Sequence, residues 1–225
     1  MTATLTTLRD RVELMIADVS NVTFSTGAID EGTRQALHRY SKRRPLSVIT
    51  TLNIATTGRE VSVASLTGLL GVSEVWLPYT AASPEQPPLR RGFELWFDQN
   101  VLYFPYGANG GFEPTAGEVA RIFYSKLQTL SGLDSATVTT IPLDDETLLA
   151  TGAAGYTVLP RAREATETVM LTEQVPISAQ LMAWAKMKLG EFETGLSQSI
   201  QREQSVPWVQ LPALDRWDAR GRGWQ

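Results

Sequence analysis

The chain of 225 residues contains no cysteine. That excludes disulfides and thiolate metal sites, and it argues against a small secreted scaffold, which depends on such staples. Histidine occurs once, at His38, so paired-histidine metal motifs are excluded as well. Excess positive charge is also missing: the net charge is -4 and the pI about 5.2. Free-standing nucleic-acid binders are usually basic, so tight DNA binding by a single copy is not expected. Long apolar runs are absent. The uncharged stretch Thr147–Pro160 carries glycines and threonines and is shorter than the roughly 20 residues a membrane-spanning helix needs. The opening MTATLTTLRDRVEL lacks a basic segment followed by an apolar run. A soluble chain made in a reducing cytoplasm is therefore expected. What is present is an ordinary globular balance, 43% hydrophobic and 20% charged, enough for one good core and a second small one.

Helical periodicity comes first. Leu5, Leu8, Val12, Met15, Ile16 and Val19 recur at helical spacing, with Arg9, Asp10, Arg11 and Glu13 on the opposite side, which predicts an amphipathic helix over about residues 4–19. Ser25 fits the N-cap of a second helix carrying Ile29, Ala36, Leu37 and Tyr40. Lys42, Arg43 and Arg44 complement its negative C-terminal dipole, and Pro45 stops it.

From Leu46 the period becomes two. Ser47–Ile54, Glu60–Ala64 and Ser73–Pro78 read as strands. Gly92–Phe97 and Val101–Tyr106 read as a hairpin turning at Asp98–Asn100. Ala81–Pro88 and Gly107–Gly111 read as loops, and Glu118–Leu127 as a last strand. These predict a small antiparallel sheet or barrel. Trp76, Trp96, Phe97, Tyr103, Phe104 and Tyr106 crowd this region, and most are expected in its core.

Helical spacing returns after Pro142, with Asp144, Asp145 and Glu146 as N-terminal caps and with Leu148, Leu149, Gly152, Ala153, Tyr156 and Leu159 on one face. Gly152–Gly155 offer no side-chain bulk, so another backbone can approach closely. Pro160 predicts a kink or joint. After Val175-Pro176 the residues Leu181, Ala185, Leu189, Phe192, Leu196 and Ile200 mark the clearest helix, Ile177–Gln204. Trp184 stands off its main stripe.

The final stretch, SVPWVQLPALDRWDARGRGWQ, holds three of the six tryptophans. Pro207 and Pro212 prevent a continuous helix. Tryptophan and arginine dominate binding hot spots, so Ser205–Gln225 is expected to be an extended docking tail for another subunit. The alternative is a tail folded back on its own core.

The expected fold class is α+β. A four-helix bundle (residues 1–45 and 141–204) carries an antiparallel β insertion (46–140) between its second and third helices, and the tail (205–225) follows. Catalysis finds little support: no serine sits in a nucleophile-elbow context, and Gly107–Gly111 lacks the lysine and following helix of a phosphate loop. No cofactor, metal or enzymatic activity is expected. An interaction or structural protein is the leading class. A carbohydrate- or host-recognition module using the aromatic β lobe is the alternative.

Several phrases then point to one family. The amphipathic first helix is followed by Phe24-Ser25-Thr26-Gly27-Ala28-Ile29, and the second helix ends Arg39-Tyr40-Ser41-Lys42-Arg43-Arg44-Pro45. After the β insertion come Gly132-Leu133-Asp134-Ser135-Ala136-Thr137, Ile141-Pro142 and Gly152-Ala153-Ala154-Gly155-Tyr156. This succession resembles the head–tail adaptor (connector or neck) proteins of tailed bacteriophages. The resemblance implies a virion protein forming a ring of twelve copies below the portal protein. Such a ring would carry double-stranded DNA through its channel without sequence-specific binding and receive a stopper or tail-completion protein on its far side. An acidic or neutral lining suits sliding DNA, because a basic one would hold the phosphates. It further implies portal docking through the tail, for which Trp208, Leu211, Leu214, Arg216, Trp217, Arg220 and Trp224 are the candidates. Gly152, Ala153, Gly155, Tyr156 and Trp184 are the candidates for packing between copies.

Overall fold

The computed structural model describes residues 3–82, 90–106, 112–169 and 175–204, with side chains over 3–82, 90–106, 112–164 and 179–198. Helix α1 (Leu5–Ile16) starts with a reciprocal cap, in which Thr4 accepts from the Thr7 amide and Thr7 from the Thr4 amide. It ends sooner than its apolar spacing predicts. Ala17 adopts the left-handed conformation and the Asp18 amide returns to the Glu13 carbonyl, a C-cap that stops the helix. Val19 consequently lies off the helix and is 64% exposed. The buried Asp18 carboxylate takes the amides of Val22, Thr23 and Phe24. These bonds, strongest from Phe24, hold its pKa below the usual carboxylate range and fix the loop into α2 (Thr26–Arg43), which Ser25 caps as expected.

The strands are β1 (Leu46–Asn53), β2 (Glu60–Ser62), β3 (Leu69–Trp76), β4 (Glu94–Trp96), β5 (Val101–Tyr103) and β6 (Val119–Lys126). They form two three-stranded antiparallel sheets, ordered β1-β6-β3 and β2-β5-β4. β1 pairs with β6 without interruption from Leu46↔Lys126 to Asn53↔Val119. β3 begins four residues earlier than the alternation at Ser73 suggests. Gly71 lies inside it, beside the register shift between Leu69 and Gly71; a glycine within a strand often marks such a bulge and is easily read as a turn. The two sheets enclose one core, of which Val63, Val75, Leu77, Leu102 and Ile122 are fully or almost fully buried.

α3 (Glu146–Val169) follows a single 3-10 turn (Leu143–Asp145) and runs on through Pro160, which lies on its exposed side. α4 (Val175–Gln204) is the longest element. All four helices contribute to the second core: Leu8 and Val12, Ile29 and Tyr40, Leu149 and Ala153, Phe192 and Leu196. The connector after β6 belongs with the helices, although residues up to 140 are expected in the β insertion. Leu130, Leu133 and Ile141 pack into the helical core, and the Leu5 amide bonds the Ser131 carbonyl. Leucines spaced through a Ser/Thr-rich segment carry no period, so their burial is not legible locally. Among the described residues, no helix is long and apolar enough to cross a membrane.

Candidate functional site

The helical core is held together where its elements meet by charged and polar side chains. At the start of α3, Asp145 is buried. It accepts the Tyr40 hydroxyl at 2.6 Å and forms an ion pair with Arg44. Burial, and then the bond to Asp145, push the Tyr40 hydroxyl well above its ordinary pKa. Glu146 is buried too. It accepts the Ala3 amide at 2.7 Å and pairs with Arg11. Asp145 and Glu146 stand in the first turns at the start of α3, as expected, and in addition clamp α2 and the first residues of the chain to it. Arg44, expected to answer a helix dipole, reaches Asp145 instead. A carboxylate can meet a guanidinium brought near by tertiary packing, and in a partly buried site that bond outweighs a dipole contact. Arg39 of α2 donates two bonds to Glu193 of α4, at 2.6 and 3.0 Å, and these hold the Glu193 carboxyl below the usual range.

The small residues of α3 are used within the chain. A Cβ on Gly152 would lie 2.8 Å from the Phe192 ring, and one on Gly155 would lie 2.9 Å from Leu189. Ala153 is fully buried beneath α2, whose Gly32 would collide with the Ala153 carbonyl at 2.8 Å if it carried a Cβ. The face of Gly152, Ala153 and Gly155, expected to meet a second copy, is thus covered by this chain's own α4 and α2. A helix lacking bulk draws in the nearest apolar helix, and α4, joined to α3 by a short connection, is that helix. Tyr156 and Trp184, the other two of that set, are half-buried at the edge of the same core. Burial, and then the nearby Glu193 charge, raise the Tyr156 pKa.

The aromatic residues of the β region stand mostly outside its core. Phe104 is buried, but Phe97 is 57% and Tyr106 75% exposed. The interior is filled chiefly by valine, leucine and isoleucine together with Phe104 and Tyr124, and β6 turns Ala120, Ile122 and Tyr124 inward from alternate positions. On the outer face of β1-β6-β3, Trp76 packs on Phe123 at 4.7 Å between ring centres. The Arg121 guanidinium lies 5.0 to 5.5 Å from the rings of Tyr79, Trp76 and Phe123 and donates to the Tyr79 hydroxyl. On the second sheet, Trp96 stacks on Tyr103 at 4.5 Å. The alternation is what was missed. Trp76, Arg121 and Phe123 all fall on outward positions once β6 is placed between β1 and β3.

The described residues of the helical part include a groove and a smaller cleft. A groove of about 650 Å³ runs between the loop before α2 and the second half of α3, past Phe24, Glu31, Tyr156, Pro160 and Arg161. A smaller cleft of about 370 Å³ is lined chiefly by Met15, Ile16, Phe24, Val158, Leu181 and Trp184. From spacing, Met15, Ile16 and Leu181 read as core; in the structure they are half-buried and packed against it. His38 is exposed on α2. Among the described residues, no three carboxylate, histidine or cysteine side chains cluster as metal ligands would. The docking candidates Trp208, Leu211, Leu214, Arg216, Trp217, Arg220 and Trp224 lie outside the described residues. No family model matches the chain, and no curated protein matches it.

Proposed function

We propose that this protein is a structural component of a tailed-phage virion, a head–tail adaptor. In this reading α1 to α4 form a four-helix bundle, and the two sheets form a barrel-like lobe projecting from it. Twelve copies ring the DNA channel below the portal protein, segment 205–225 docks into the portal, and the far face receives a stopper or tail-completion protein. DNA passes without sequence-specific contact. The single observation that carries the reading is the order of the chain: two helices, an inserted β lobe, two further helices on the same core, then an aromatic segment. That order matches what the resemblance implies across most of the sequence.

With Gly152, Ala153 and Gly155 covered inside the chain, contact between copies falls to the exposed borders, where Tyr156 and Trp184 remain the proposed residues. Mixing the full chain with portal rings should give a complex visible by electron microscopy as an added ring of twelve. A form lacking residues 206–225 should not bind; equal binding by both forms rules out docking through that segment.

A second reading is favoured by the outward Trp76–Phe123–Arg121 cluster. Aromatic rings beside a guanidinium suit the apolar face and hydroxyls of a sugar, as a carbohydrate- or host-recognition module would require. Glycan-array binding by the full chain, lost in Trp76→Ala or Trp96→Ala, would establish it in place of the adaptor role.

A further inference from the structure

The cleft at the end of α1 is an apolar depression among the described residues. Val158 and Phe24 form a buried floor, and Met15, Ile16, Leu181 and Trp184 are half-buried walls packed against the helical core. Half-covered apolar walls gain free energy from any apolar group that displaces water. Its volume of about 370 Å³ lies near the lower end of the roughly 300 to 1,000 Å³ typical of ligand sites. One large side chain suits it better than an extended ligand. Phe24 in the floor, Trp184 in a wall and the Met15 thioether favour an aromatic occupant over an aliphatic one.

The chain itself carries such groups directly after α4. Gln204 follows Leu181 by 23 residues, about 35 Å along a helix axis. Trp208 follows Gln204 by only four residues, a reach of at most about 14 Å. Trp217 follows by 13 residues, a reach of about 43 to 47 Å, and is the first of the three indoles that can return to the cleft. A tether this short presents its indole at an effective concentration near the millimolar range. That exceeds what a second copy offers at ordinary protein concentrations.

We propose that the Trp217 indole occupies this cleft within the same copy when the protein is alone. An exposed indole-rich segment invites self-association, and the cleft would shield it until a partner competes for it. The inference goes beyond the adaptor reading and does not depend on it, because it concerns the isolated chain.

The lack of native cysteine makes the test clean. The double variant Gln180→Cys, Asp218→Cys places one thiol at the cleft rim and one beside Trp217. Mild oxidation of the full-length protein should close a disulfide within one copy. Adding Trp217→Ala should slow closure about tenfold or more, whereas Trp208→Ala should not. A control pair, Thr51→Cys with Asp218→Cys, should not close at a comparable rate. Disulfides formed only between copies, closure equal to the control, or indifference to Trp217→Ala would each overturn the proposal. Hydrogen exchange needs no substitution near the cleft. Amides of Ala17 and of Leu181–Ala185 should exchange more slowly in the full chain than in a form ending at Gln204, and equal rates would overturn the proposal as well. Both readouts are taken without a portal, so their failure is distinct from failure of portal binding.

Discussion

Between the helices, side chains from one element reach those of another: Asp145 meets Tyr40 and Arg44, Glu146 meets Arg11, and Glu193 meets Arg39. Between the strands, main-chain ladders make the joins, and the interior is mainly aliphatic, with Phe104 and Tyr124 among it. The difference reflects what each kind of element leaves undetermined. A strand's two-residue alternation fixes its register, since a slip of one residue turns every side chain to the other face. Helices packed by ridges and grooves have neighbouring registers closer in energy. Directional bonds at the joints select one of them. Each core holds buried aromatics, Phe24, Tyr40 and Phe192 in one and Phe104 and Tyr124 in the other. The sheets carry further ones, Trp76, Trp96 and Tyr103, on their outer faces.

The largest effect is expected where a joint is removed. Asp145→Ala leaves the Tyr40 hydroxyl and the Arg44 guanidinium facing each other without their carboxylate. Breaking a largely buried pair in this way costs about 3–5 kcal/mol, to be read as a fall in the urea midpoint. In the β core, Leu102→Ala removes a side chain that is 1% exposed and should cost about 3 kcal/mol, the usual range for a buried leucine. If the two cores unfold separately, near-ultraviolet signals from Trp76 and Trp96 will be lost before the helical signal in this variant. A single transition would show that they unfold together. Gly152→Ala adds a methyl into the Phe192 ring and should cost about 1–3 kcal/mol, measured by thermal unfolding.

Acid should act mainly on the helical side. Glu193 and Asp134 are held below their usual range by Arg39 and Arg34. Their stabilising contribution is complete above the ordinary carboxylate range and is lost as pH falls through the lowered values. Glu193→Gln should therefore flatten the fall in melting temperature between about pH 5 and pH 3, while losing some stability at neutral pH. The smallest effect belongs to the exposed Arg161–Glu164 pair. Arg161→Ala should change stability by less than about 0.5 kcal/mol.

Local patterns disclosed the elements better than their partners. Ser25 announced its helix because a cap acts on amides three residues away. Leu181 to Leu196 announced α4 because one face must be apolar over its length. The carboxylates at 145 and 146 read only as caps because their long-range partners, Tyr40, Arg44, Arg11 and the Ala3 amide, lie more than 100 residues away, and only tertiary packing brings them close. The outward placement of Trp76 depends on β6 lying between β1 and β3, and strand order is not written in any one strand. The cleft is lined in part by Ala17, where an ordinary alanine takes the αL conformation more typical of glycine, and nothing in the local spacing marks that turn.

The uninterrupted pairing of β1 with β6 has a consequence for the ancestry of this architecture. The chain leaves the helices at Leu46 and comes back at Lys126, directly opposite. Residues facing each other across an antiparallel ladder have Cα atoms only about 5 Å apart. Everything between them is a closed excursion that could be gained, lost or exchanged by a single recombination event. The route of the helices would be the same on either side of it.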